Sequence, residues 1–436
     1  MQPMARTQQP SFSAAGLIRC ARTVAAASLV VVLATMPGCW GKRELEERSF
    51  VTLLGIDHSS DGRILVTATM ALPKGTRSGA GGPETSTLVL STAGRNVEEA
   101  LRQMEFISSR ELSTVYTAFV ILGEEFARTD IGPIVDVFSR HLHYKPNTLV
   151  AVCKGRAYDF LRTFMPRQES QQAEYLLKLV STVHTGLAGT PLVTMHELKV
   201  GFTTLGLDAW APYFTLASTS PAEMDAKEGQ AGEGASGQSG QEEPSESQAE
   251  DTIVKLLGSA VFAKVGPVYK MVGSLDQYET MAVLLMSGEL EATLLNVAYP
   301  GDQAESSLVI HHAQARLDVN PKSDPPEAEF KIVMTGSLSE SAPGGDLPET
   351  TQEFRQALVR TAQEQMLDLL QKTFARLTSL DTDVIGLGAH AKMAFKTYDE
   401  WEAFAWAQRY SRTVASFDVR IHIFTAGFTV EKPIPR

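Results

Sequence analysis

From residue 64 the chain alternates in polarity. Ile64, Val66, Ala68, Met70 and Leu72 are apolar, with Thr67 and Thr69 between them. A period of two is the mark of a half-buried strand, and this one pairs with "SFVTLLGID" across an Asp61-Gly62 turn. A strand at Thr87–Ser91 follows, then a helix opened by Asn96 with Val97, Ala100, Leu101 and Met104 on one face. The strand "YTAFVILG", a helix around "EEFARTDIGPIVDVFSRHL", the strand "NTLVAVCKG" and the helix "RAYDFLRTF" continue the alternation to about residue 165. Elements in this order make a mixed α/β domain.

A helix at "SQQAEYLLKLVSTVHTG" then leads to the strand "APYFTLA". Farther on, "SSLVIHHAQARLDVN" and "AEFKIVMTGSLSE" read as strands. Asp346 and Pro348 open a long helix to about residue 380. Phe354, Leu358, Ala362, Met366, Leu369, Thr373 and Leu377 recur every three or four residues, as one buried helix face requires. A second helix carries Trp401 and Phe404, and a closing strand alternates Phe417, Val419, Ile421 and Ile423 with polar residues. A sheet and a long helix segregated along the chain predict an α+β domain.

Composition breaks this pattern once. Residues 218–252 hold nine acidic residues, one lysine and almost nothing apolar. Such a segment cannot bury enough surface to offset the entropy of ordering it, so disorder is expected there. Both flanks read as strands, and loop closure costs little more as a loop lengthens, which favours an overgrown hairpin loop over an interdomain linker. The chain's 436 residues carry a net charge of −12, with no basic block, and this field repels nucleic acid.

The amino terminus has a different character. Residues 1–38 contain Arg6, Arg19 and Arg22 and no acid, and "TVAAASLVVVLATM" follows the arginines. Fourteen helical residues span only about 21 Å, short of a bilayer core and suited to the apolar region of a secretory signal. Pro37 and Gly38 come next, then Cys39, one of three cysteines in the chain. A basic start, a short apolar run, a small residue and a cysteine match a bacterial lipobox. Cleavage after Gly38 would leave Cys39 to carry diacylglycerol, anchoring the chain without a membrane-spanning helix.

Catalytic constellations are present only as fragments. His196-Glu197 begins like a zinc-protease helix, but Val200 stands where the second histidine must fall. His141 with His143, and His311 with His312, have no carboxylate at ligand spacing. "GLGAHA", Gly386–Ala391, fits GxGxxA but follows a helix rather than a strand, outside any dinucleotide-binding unit. Cys153 reads as a small buried thiol, and Trp401 and Trp406 as packing residues. No metal, cofactor or enzymatic activity is expected from these residues.

The order of the longer motifs is more specific. "GCWGKRELEERSFVTLLGID", "FVILGEEFARTDIGPIVDVFSR" with "NTLVAVCKGRAYDFL", "LLGSAVFAKVGPVYKMVGSLDQYET", and "DTDVIGLG" with Trp401 run nearly the length of the chain after Cys39. In this order the chain resembles the Ger(x)C family, the lipoprotein C subunits of bacterial spore germinant receptors. The resemblance implies an α+β protein of three mixed α/β domains. They would follow the signal 1–38 as an N-terminal domain 39–165, a middle domain 166–292 holding the acidic insertion 218–252, and a C-terminal domain 293–436. In the last, an antiparallel-type sheet would pack against the long helix at about 348–380. The resemblance also implies attachment at Cys39 to the outer face of the spore inner membrane, beside integral-membrane A and B subunits, in a non-catalytic role. The rival reading is a solute-binding lipoprotein of a transporter, which needs a cleft lined by side chains such as Trp210, Trp401 or Trp406.

Overall fold

The structure is a computed structural model and describes residues 21–30, 47–71, 87–140, 144–166, 168–169, 171–218, 252–298, 305–340 and 352–424. The chain divides into two units, Met1–Arg48 and Ser49–Arg436. In the first, residues 21–30 form a helix, α1, that overlaps the start of the apolar run. No described helix is long and apolar enough to cross a membrane.

The strands β1 (Arg48–His58), which lies in the second unit from Ser49 on, and β2 (Ile64–Ala71) are antiparallel with His58 opposite Ile64. Gly62 supplies the positive φ of +80° that the turn between them needs. β3 (Thr87–Gly94) adds antiparallel to β2. The helix α2 (Val97–Glu105) starts where Asn96 Oδ1 accepts the Glu99 N–H at 2.8 Å. β4 (Glu111–Ser113) pairs with β1. Then β5 (Phe119–Gly123), α3 (Glu124–Ala127), α4 (Gly132–Arg140), β6 (Leu149–Cys153), α5 (Ala157–Thr163), α6 (Gln172–Leu187) and α7 (Met195–Thr203) alternate up to β7 (Trp210–Ser218). The strands β1, β5, β6 and β7 are parallel neighbours, because helical crossovers separate them.

β8 (Thr252–Val265) and β9 (Val268–Leu275) close this nine-stranded sheet, whose order is β3-β2-β1-β5-β6-β7-β8-β9. β7 and β8 are antiparallel, with Ser218 opposite Thr252. The two ends of the acidic stretch are therefore cross-strand partners in one sheet, and its residues 219–251 lie outside the described residues. Side chains of the central strands feed two cores. Leu54, Ile56, Val120 and Leu122 face α2, α4 and α7, while Leu53, Ile121 and Ala151 face Phe160 and Leu161 of α5 and Leu176 of α6. Cys153 is in the second core, where burial raises its thiol pKa well above the ordinary value.

α8 (Gln277–Ser287) joins this sheet to the rest. Asp276 and Glu279 cap its start reciprocally, and Gly288 ends it at φ +78°. Every residue from Thr280 to Met286 is buried, since the helix packs against both β8 and the next sheet. That sheet runs β10 (Thr293–Ala298), β11 (Glu305–Asn320), β12 (Glu327–Glu340) and β13 (Val414–Phe424). Its first three strands are antiparallel, and β13 joins parallel to β12 after a connection that carries α9 (Gln352–Ser379). Leu358, Ala362, Met366, Leu370, Phe374 and Leu377 form the buried face of α9 against Phe330, Ile332 and Met334. Arg376 of α9 also reaches Glu279 of α8 at 2.8 Å and the Ser274 carbonyl at 2.6 Å. The architecture is α+β with mixed sheets, and the long helix lies on the C-terminal sheet as its periodicity predicts.

Candidate functional site

The two residues proposed for lipid attachment and cleavage, Cys39 and Gly38, lie outside the described residues, as do His141 and His143. The other fragments are placed. Glu197 serves as the helix cap of α7, its Oε2 accepting the Thr194 N–H at 2.8 Å, while His196 beside it is exposed. Among the described residues His311 bonds Ser337 Oγ, at 2.8 Å, and His312 is exposed on the same strand. Among the described residues no group of three His, Cys, Asp or Glu side chains could hold a metal ion. These histidines and Glu197 are strand and helix-end residues.

The "GLGAHA" segment has a structural use. α7 ends in a loop, residues 204–209, and α9 ends in a second loop, residues 380–386, that opens α10 (Leu387–Ala391). The loops bond reciprocally. The Asp383 N–H donates to Asp208 Oδ2 at 2.7 Å, the Asp208 N–H donates to the Asp383 carbonyl at 2.9 Å, and Ala389 N–H donates to the Gly206 carbonyl at 3.0 Å. A Cβ on Gly388 would overlap the Gly206 Cα and the Trp406 ring, so the close approach requires glycine. The glycines bring two loops together rather than cradling a phosphate.

Asp383 is the centre of this junction. It is 4% exposed, and four donors share its two oxygens. Oδ1 accepts from Gly386 N at 3.0 Å and Leu387 N at 2.8 Å; Oδ2 accepts from Gly388 N at 2.8 Å and Trp406 Nε1 at 3.1 Å. Burial still outweighs those donors and pushes its pKa up to about 6. Asp208, half-buried, is pushed up to about 7 by the same loss of water, with the charges of Asp383 and Asp381 adding to it. Two neighbouring carboxylates here hold protons more tightly than ordinary aspartates do.

Around them, α11 (Tyr398–Phe404) and two short helical turns stack Trp401, Trp406 and Tyr410, with the tryptophan centroids 6.1 Å apart. Trp401 and Trp406 are buried, as packing residues should be, and Trp406 also donates to the carboxylate. Trp210 is half-buried between the cores. A cavity of about 390 Å³ opens beside the junction, with Phe202, Asp208, Lys264, Tyr269, Trp406 and Tyr410 in its wall. Asp208, Asp383 and Tyr410 were absent from the sequence-derived candidates. For Asp383 a signal existed: an aspartate followed at the third and fifth positions by glycine, which suits a carboxylate collecting consecutive backbone N–H groups. Tyr410 had no such signal.

Comparison with known proteins places this junction and both sheets in a described group. Residues 41–216 match the family model described as the spore germination protein N-terminal domain. Residues 257–427 match the model described as spore germination B3/GerAC-like, C-terminal. The chain is 23% identical over 403 residues to YfkR of Bacillus subtilis (strain 168), provisionally named a spore germination protein, covering 91% of this chain and 92% of that one. It is 22% identical over 398 residues to spore germination protein KC of the same organism, covering 88% and 90%. Among solved structures it is similar to the crystal structure of the GerBC protein, with 14% identity and a TM-score of 0.49, over 85% of this chain and 97% of that one.

Proposed function

The chain belongs to the Ger(x)C family of spore germination proteins, and from this premise we propose that it is the lipid-anchored C subunit of a nutrient germinant receptor. The observation that carries the reading is the ordered match of two family models, which together take in both sheets and the loop junction. In this reading signal peptidase cuts after Gly38 and Cys39 carries the diacylglycerol. Its acyl chains, at about 0.8 kcal/mol per buried methylene, hold the protein on the outer face of the spore inner membrane. The folded body acts beside integral-membrane A and B subunits as a scaffold or signalling subunit, without catalysis. The loop junction supports a non-catalytic role, because Asp383 is committed to four structural donors.

Cys39→Ala tests the anchor. The variant is expected to leave the membrane fraction of spores and to lose most nutrient-triggered germination, while germination by non-nutrient routes continues. Retention of the variant in the membrane at the normal level would overturn lipid attachment at this residue. Purification of the intact protein from spore membranes should bring two integral-membrane subunits with it.

A further inference from the structure

The cavity beside Asp383 has walls of two kinds. Phe202 and Tyr269 stack with centroids 4.5 Å apart, and Trp406 meets Tyr410 edge to face at 6.3 Å. Three carboxylates, Asp208, Asp381 and Asp383, share the lining with a single cation, Lys264, whose Nζ lies 5.5 Å from the Tyr269 centroid. The three do not converge as metal ligands.

Two acceptors there are uncommitted. Asp383 has both oxygens filled, but only Oδ2 of Asp208 receives a hydrogen bond, from the Asp383 N–H, which leaves Oδ1 free among the described residues. Tyr410 is 2% exposed, and its buried hydroxyl has no hydrogen-bond partner among the described residues. Burying a hydroxyl without a partner is unfavourable, so a native fold that keeps one beside a cavity points to a group that enters and bonds to it. The Tyr410 phenol is held protonated, its pKa raised by burial and then by the charges of Asp383, Asp208 and Asp381.

We infer that this cavity binds a small organic cation carrying N–H donors, an alkyl- or arylammonium. Its ammonium donates to Asp208 Oδ1 and to the Tyr410 hydroxyl, and its carbon skeleton lies against the aromatic rings. A carboxylate next to π faces is the chemistry that selects an ammonium over a neutral molecule of the same shape. A free hydroxyl and a free carboxylate oxygen favour a cation with hydrogens to donate over a quaternary one. The inference does not depend on the receptor reading, since it concerns a cavity remote in sequence from Cys39.

The test is calorimetric titration of the full chain at pH 8, where Asp208 is ionised, with methylammonium, benzylammonium and phenethylammonium. Benzyl alcohol and tetramethylammonium serve as the neutral and the donor-free comparisons. Saturable one-to-one binding is expected for at least one primary ammonium, at least tenfold tighter than for benzyl alcohol or tetramethylammonium. Asp208→Asn should weaken it at least tenfold. Tyr410→Phe, which removes no existing bond and relieves a hydroxyl buried without a partner among the described residues, should not lower the thermal midpoint but should weaken binding several-fold. Lys264→Met, by removing the lining cation, should tighten it. Absence of saturable binding by all three ammonium probes overturns the inference. So does equal affinity for benzyl alcohol, or unchanged affinity in both Asp208→Asn and Tyr410→Phe.

Discussion

Asp57 and Asp383 are both buried carboxylates that gather backbone N–H groups, yet they join the chain over different distances. Asp57 stands near the end of β1, where its Oδ1 accepts from Ala157 N at 2.9 Å and its Oδ2 from Tyr158 N at 2.8 Å. Those donors are the free N–H groups of the first turn of α5, a helix end that favours negative charge. The bond spans 100 residues and exists only once the sheet has brought β1 and α5 together. Asp383 takes three of its donors from within five residues of itself, and only Trp406 lies farther off. One aspartate therefore reports that the sheet has formed. The other shapes its own loop, and the loop then builds the cavity wall. Burial raises the pKa of both, so neither charge is held without cost.

Donor count separates the two in a measurable way. Asp383→Ala leaves three backbone N–H groups and an indole N–H unpaired, and should cost about 4 kcal/mol in denaturant-induced unfolding. Asp57→Ala leaves two, and should cost about 2–3 kcal/mol. An Asp57 loss larger than the Asp383 loss would mean that long-range tethering, rather than donor count, sets the scale. Asp208→Asn acts in the opposite direction, because it keeps an acceptor for the Asp383 N–H while removing a half-buried charge. It should change stability little near pH 4 and make the protein more stable than wild type near pH 8.

The sign of that last effect follows from proton binding. Asp208, at about 7, and Asp383, at about 6, sit above the ordinary 3.8. The folded state thus binds more protons than the unfolded chain across this window, and stability present at low pH is lost as pH rises toward 7. Each such group contributes a slope on the order of 1.4 kcal/mol per pH unit within its window. Thermal midpoints from pH 4 to pH 8 should therefore fall less steeply in Asp208→Asn than in wild type. Parallel curves would show that Asp208 titrates normally.

The two sheets differ in how openly the chain announces them. In the C-terminal sheet one face packs on α9 and the other is exposed, so Phe330, Ile332 and Met334 alternate with exposed Glu329, Lys331 and Val333. The stripe on α9 was legible for the same reason. β5 and β6 are buried at every position, so they show as apolar runs whose type has to be judged from their flanks. α8 went unread because its residues Thr280–Met286 are buried on every face, and two turns with no wet face have no period to detect. The site was less legible than the fold. Gly386, Gly388 and Asp383 stand together in "DTDVIGLG", but Asp208 lies 175 residues away and Tyr410 is brought in by a separate turn. Cys39, proposed as the site of lipid attachment, stood out for the opposite reason, since a cleavage signal is a local pattern along the chain and needs no tertiary neighbour.

The parallel seam between β12 and β13 has a consequence for how the protein is made. Residues 327–337 pair with residues 414–424, across the whole of α9 and the Asp383 loop. Until the ribosome has delivered residue 424, β12 has a bare edge and Phe330 lacks Phe417, whose ring stacks on it with centroids 5.0 Å apart. Closing so long a segment is entropically slow. The second sheet is thus consolidated only after residue 424 has emerged, and until then β12 presents an unpaired edge of the kind that chaperones bind.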